Sequence, residues 1–157
     1  MVDSQKITQG LEAPFKLANI FAMIGWLVLM ALPYWKYTEQ FVLYCSFILL
    51  AVLYIFLLQK AMRSKPESVS GSNGEKADKP SFTNLRGVLA LLKNPVGALA
   101  AWVHILAFDL MIGLYIHNEG AEANISHWWL LPCYFFTLMF GPIGLLMFLG
   151  VKFFLAQ

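Results

Sequence analysis

The stretch Val96–Ile116, VGALAAWVHILAFDLMIGLYI, decides the reading of this chain. Two ionisable side chains, His104 and Asp109, stand five residues apart in an otherwise apolar run. About 20 apolar residues in helical conformation cross a bilayer core of about 30 Å, so the stretch is long enough to span. A carboxyl group in the middle of such a span is costly to insert and marks a functional site by default. The alternative is a neutral or hydrogen-bonded packing residue.

Working outward, the 157 residues are 59% hydrophobic and 13% charged, with a mean hydropathy of +0.65. A soluble domain carries roughly a quarter charged residues. Here the apolar residues also come in blocks instead of alternating with polar ones. Four segments reach spanning length: Phe15–Trp35, Phe41–Leu58, Val96–Ile116 and Trp128–Phe148. Backbone polar groups in hydrocarbon must pair within their own segment, which requires helices. The expected fold is all-α: one polytopic membrane domain over residues 1–157, a bundle of four transmembrane helices with a cytoplasmic amphipathic helix. The second segment is short and borrows flanking residues.

Four crossings put both termini and the middle loop on one face. Of the 11 basic residues, only Lys36 falls on the other face. The positive-inside rule makes the basic face cytoplasmic, or stromal in a plastid. The first apolar block is too long for a cleaved signal and reads as a signal anchor. Its short, acidic leader does not resemble a transit peptide, so the expectation is a bacterial inner membrane or a presequence already removed. Nothing resembles a nucleic-acid recognition motif. Cys45 and Cys133 fall inside spans and read as packing residues. The sequon Asn124-Ile125-Ser126 lies at the membrane surface, where no modification is expected.

Residues 64–81, SKPESVSGSNGEKADKPS, lack aromatic residues and read as a flexible linker. In the following segment, 82–94, Phe82, Leu85, Val88, Leu89 and Leu92 share one helical arc opposite Arg86 and Lys93. That pattern suits a helix lying in the interface, ended by Asn94-Pro95. In the fourth segment, Gly141-Pro142 predicts a kink, with Thr137 one turn earlier able to satisfy freed backbone groups.

In the third span, Gly97, Ala100, Ala101, His104 and Ala107 form a small-residue face suited to close helix approach. Asp109 points about 140° away from His104, alongside Trp102 and Gly113. Asn19, Tyr44, Tyr54 and Thr137 are candidate partners on other spans. Hydrocarbon surroundings favour a carboxyl that keeps its proton and an imidazole that stays neutral. Asp109 and His104 therefore read as a latent acid and a latent base, a pairing used in acid–base catalysis. A metal site competes poorly, because His104, His117 and His127 show no HxxH or HxxxH spacing and differ in depth. No cofactor is expected.

Two longer motifs carry a resemblance. Ala101–Gly113, AWVHILAFDLMIG, is similar to W-I-H-x-L-A-F-D-L-F-x-G, and Leu131–Leu146, LPCYFFTLMFGPIGLL, to P-C-L-x-x-T-x-x-F-G-P-x-G-L-L. Asn19, Pro33-x-Trp35 and Thr38 fit the first span of the same pattern. The chain thus resembles the neoxanthin-synthase-like family, named after the plant abscisic-acid-deficient-four protein. It departs at Leu114-Tyr115, where many members carry a basic or small residue followed by Trp.

The resemblance implies a four-span protein tied, in plants, to forming neoxanthin from violaxanthin. The matching polar positions are Asn19, His104, Asp109 and Thr137. The expected site places His104 and Asp109 as the catalytic pair, with Asn19, Trp102, Thr137 and Tyr54 contacting a lipophilic substrate such as a carotenoid. The other reading is a non-catalytic lipid-binding or assembly protein; a proton-coupled carrier is a third. Beyond the bilayer and the lipophilic substrate, self-association stays open.

Overall fold

The computed structural model describes residues 2–63 and 81–155, with side chains from residue 9 onward. The linker expected over 64–81 lies, apart from Ser81, outside the described residues. Within them every regular element is helical: α1 (Val2–Ala31), α2 (Thr38–Gln40), a π-helical segment (Phe41–Phe47), α3 (Ile48–Arg63), α4 (Leu85–Lys93), α5 (Pro95–Glu122), α6 (His127–Phe140) and α7 (Pro142–Leu155). Among the described residues, three stretches are long and apolar enough to cross a membrane: Gln9–Ala31, Thr38–Arg63 and Pro95–Glu122. This is a helical membrane protein.

Local chemistry sets the helix ends. α1 stops at Ala31 instead of running on to Trp35, because Pro33 disfavours helical geometry at Leu32. The buried Thr38 hydroxyl ties the resulting turn by donating to the Leu32 carbonyl at 2.5 Å. α2, the π segment and α3 follow end to end, so the second span is longer than residues 41–58. Asn84 caps α4 by accepting from the Gly87 amide at 2.7 Å, and Asn94 caps α5 by accepting from the Val96 amide at 2.9 Å. Pro95, at the first turn of α5, loses no helical hydrogen bond there. α4 exposes Leu85, Leu89 and Leu92, with Arg86 and Lys93 beside them, and buries Gly87 and Leu91.

α5 is the central helix. Phe15 meets Trp102 with ring centroids 6.3 Å apart, and further along, the Trp26 ring lies over Gly113. α1 and α5 therefore run parallel. Tyr54 meets His104 at 5.1 Å, while Ser46 and Leu110 both press on Gly25, so the second span runs antiparallel to both. A Cβ at Gly113 would stand 2.7 Å from the Trp26 ring. The absence of a side chain there is what lets the buried indole seat between the helices.

Residues 127–155 overturn the expected fourth crossing. α6 and α7 have 14 residues each, about 21 Å of helix against a core of about 30 Å. They do not stack into one kinked rod. The four-residue turn 123–126 sends α6 back along α5, with Leu130 against Gly120 and the Tyr134 hydroxyl 3.5 Å from His117 Nδ1. At Gly141 the direction reverses again. α7 then climbs parallel to α5: Gly141 touches Asp109, the Phe148 ring lies 6.3 Å from Tyr115, and Lys152 pairs with Glu119.

The reversal has a backbone cause. Gly141 takes φ +46°, a left-handed conformation that side chains resist, so the chain turns round where a right-handed residue would only bend. Pro142 opens the return helix. A Cβ at Gly144 would strike the Thr137 hydroxyl and amide, so the two helix backbones touch near the tip. One consequence corrects the expected topology. α7 ends on the face where α5 ends, opposite the face from which α1 starts, and Lys152 moves with it. Lys16, Lys60, Arg63, Arg86 and Lys93 mark one face; Lys36 and Lys152 mark the other.

Candidate functional site

The middle of α5 carries the site. His104 and Asp109 were expected on different sides of the helix; the structure sets both on one open groove of about 450 Å³ between α5 and the tip of the α6–α7 hairpin. On α5, residues at turn spacing build one wall: His104 with Phe108, and Ile105 with Asp109 and Ile112. Met139, Phe140, Gly141 and Pro142 at the tip build the other. Ile105, Phe108, Met139 and Phe140 are each about half exposed at the rim. The groove therefore opens sideways, toward hydrocarbon, and lies away from both ends of the spans.

The imidazole of His104 is held from two sides. Phe108 lies 4.5 Å away, centroid to centroid, and Tyr54 of α3 lies 5.1 Å away. These rings fix its plane without using its nitrogens. The Asp109 carboxyl lies against Gly141, where a Cβ would come 2.5 Å from Oδ1. This contact sets the carboxyl beside the N-terminal end of α7, whose first amides have no partner within the helix and carry the positive end of its dipole. The groove thus presents one nitrogen base and one carboxyl along a surface that is otherwise apolar.

The remaining expected residues are dispersed. Tyr54 borders His104 without lining the groove. Trp102 is 41% exposed on another side of α5 and packs on Phe15. The Asn19 amide donates to the Phe15 carbonyl of its own helix at 2.7 Å. Thr137 is fully buried and donates to the Cys133 carbonyl at 2.8 Å, where it supports the hairpin and faces no ligand space. Cys133 is buried and Cys45 faces outward; both are free thiols. His127 Nε2 lies 2.9 Å from the Met30 carbonyl and His117 sits beside Tyr134, both near the ends of the spans and far from His104. Among the described residues no three His, Cys, Asp or Glu side chains cluster to hold a metal ion.

Sequence reasoning missed the groove's second wall. Met139 and Phe140 look like ordinary apolar residues of a crossing helix. Only the reversal at Gly141 turns them toward Asp109.

Fold and site together define a small helical membrane protein with a polar pair on a laterally open groove. The chain belongs to the ABA DEFICIENT 4-like family, which it matches over residues 13–148. That membership supports a neoxanthin synthase-like membrane protein. Comparison with curated proteins and with solved structures yields no match.

Proposed function

We propose that the protein takes a carotenoid or related isoprenoid from the bilayer into the groove and isomerises it by acid–base chemistry. The observation that carries this reading is the presence of His104 and Asp109 on one laterally open, otherwise apolar groove. Opening a 5,6-epoxide to an allenic alcohol needs a proton removed from the neighbouring polyene carbon and a proton delivered to the epoxide oxygen. The carbon–hydrogen electron pair forms the new double bond and the carbon–oxygen bond breaks. Atoms and electrons balance without an external oxidant. A neutral His104 is the base, a protonated Asp109 is the acid, and solvent or lipid-borne water restores their protons.

The test is incubation of the purified protein, reconstituted in lipid, with an epoxy-carotenoid, followed by pigment separation. The reading expects an allenic product from the wild type and its loss in both His104→Ala and Asp109→Asn. Full activity in both variants contradicts it. The contact between Asp109 and Gly141 favours one alternative, in which the carboxyl holds the hairpin tip and the groove only binds lipid. In that case the wild type retains pigment unchanged.

Two further assignments belong to the same reading. The face bearing Lys16, Lys60, Arg63, Arg86 and Lys93 is the cytoplasmic one by the positive-inside rule. α4 lies in that interface, with Leu85, Leu89 and Leu92 toward the acyl chains and its two cations at the headgroups.

A further inference from the structure

α5 is covered unevenly on the two sides of Asp109. Ala98, Trp102, Ile105 and Asp109 follow one another at turn spacing and form a stripe along the helix, with Trp102 on its flank toward α1. Beyond Asp109, toward the C-terminal end of α5, the stripe is closed. Ile116 and Gly120 are buried there, and Leu130 of α6 lies against Gly120. Before Asp109 it is open. The hairpin tip stops at the carboxyl, where Gly141 meets it, and Ala98, Trp102 and Ile105 are all exposed. From Asp109 back to the cap at Asn94 the open stripe is about 22 Å long at the helical rise.

α1 supplies a wall beside it. Phe15, itself exposed, lies against Trp102 with the two rings tilted by 32°. The stripe leads from the groove to the face marked by Lys16, Arg86 and Lys93. The short hairpin thus leaves a trough under its tip, closed at one end by Gly141 and Asp109 and open at the other to the headgroups.

Within a bilayer the hydrophobic effect does not choose between apolar occupants, because lipid tails are as apolar as the trough. Packing and conformational entropy decide. A flexible acyl chain loses rotational freedom when laid straight along a helix, whereas a conjugated polyene is already straight and has little to lose. The polyene also gains dispersion contacts along the two aromatic rings. Resting on the isoprenoid reading above, we propose that the trough holds the polyene of the substrate, with one end group at His104 and Asp109 and the rest of the molecule pointing toward the basic face. The remote end then emerges among the headgroups, where a hydroxyl keeps its hydrogen bonds. The closed part of the stripe bars the opposite direction along α5.

The test measures retained pigment. Protein in phosphatidylcholine nanodiscs is equilibrated with violaxanthin, repurified, and its bound pigment quantified by chromatography, with a melting midpoint for each variant. Ala98→Trp sets a bulky ring across the trough about 16 Å from the carboxyl. It leaves His104 and Asp109 untouched and should lower retention about tenfold, equivalent to about 1.4 kcal/mol. Trp102→Ala should lower it about threefold, as for one lost aromatic contact. Leu146→Trp, on the exposed surface of α7 beyond the polar pair, should retain as much as wild type. Undiminished retention in Ala98→Trp, or a loss confined to Leu146→Trp, overturns the trough and its direction while leaving the isoprenoid reading intact. If Ala98→Trp loses both pigment and melting midpoint, Trp102→Ala decides, and undiminished retention there overturns the proposal. No retention by the wild type overturns both readings.

Discussion

The three spans and the α6–α7 hairpin are built from similar amino acids and do opposite things. α1, the second span and α5 each run the length of an apolar layer, and their direction alternates as hydropathy and loop placement require. The hairpin has the same apolar character but goes in and comes back. What separates them is backbone geometry at a single residue, Gly141, together with the absence of a side chain at Gly144. Hydrophobicity decides that a segment is buried in lipid; it does not decide where the segment leaves.

The contrast suggests experiments that either break it or sharpen it. The largest effect is expected at the hairpin. Gly144→Val forces a branched side chain against Thr137 and the Cys133 carbonyl, and overpacking of that kind costs about 3 kcal/mol. Thermal unfolding in detergent should show a large drop, whereas Gly150→Val, with nothing within 4 Å of its Cβ, should leave the midpoint close to wild type. Equal midpoints for the two variants would mean that α6 and α7 do not fold back on each other.

Next in size is the chemistry. Asp109→Asn keeps the shape beside Gly141 but removes the transferable proton, and turnover of an epoxy-carotenoid should fall roughly 10²-fold, the usual worth of a general acid. A melting temperature near wild type would show that the hairpin tip survives. Unchanged turnover together with lowered stability would move Asp109 from the reaction to the scaffold.

A smaller effect is expected in the three-span core. Gly113→Ala presses a methyl group on the Trp26 ring and should cost about 1–2 kcal/mol, measurable as a shift in the same unfolding assay. Tryptophan emission should shift too, because the buried Trp26 ring must move. Smallest of all is Lys152→Gln. The partner of Glu119 is partly exposed, with side chains 36% and 28% accessible, and ion pairs in such positions contribute little. A large loss of stability there would indicate that the base of the hairpin, and not its tip, holds it in place.

Much of this was legible in the sequence, and the illegible part has a physical cause. Val96–Ile116 announces a span by length alone, and Asn94-Pro95 marks the end of the helix before it, a boundary at which the structure has Asn94 also cap α5. His104 and Asp109 stand out because ionisable groups are rare at that depth. Trp128–Phe148 reads equally well as a crossing, since the count of apolar residues is the same whether a helix continues or returns. Gly141-Pro142 reads as a kink for the same reason: the dipeptide permits both a bend and a reversal, and the positive φ at Gly141 with the close approach at Gly144 selects the latter. By angle on α5 alone, His104 and Asp109 stand apart. The groove that joins them is made by a second element, which the residues of α5 do not encode. Asn19, Trp102 and Thr137 are polar or aromatic residues whose partners lie within or beside their own helices, a use that residue type does not reveal.

The direction in which α7 leaves the membrane tests the account most directly. In a background lacking Cys45 and Cys133, single cysteines at Phe154, Glu122 and Lys93 can be labelled with a membrane-impermeant maleimide from one side of sealed vesicles. The hairpin places Phe154→Cys with Glu122→Cys, both labelled from the side where Lys93→Cys is protected. Labelling of Phe154→Cys together with Lys93→Cys would restore a fourth crossing and remove the wall of the groove that faces Asp109.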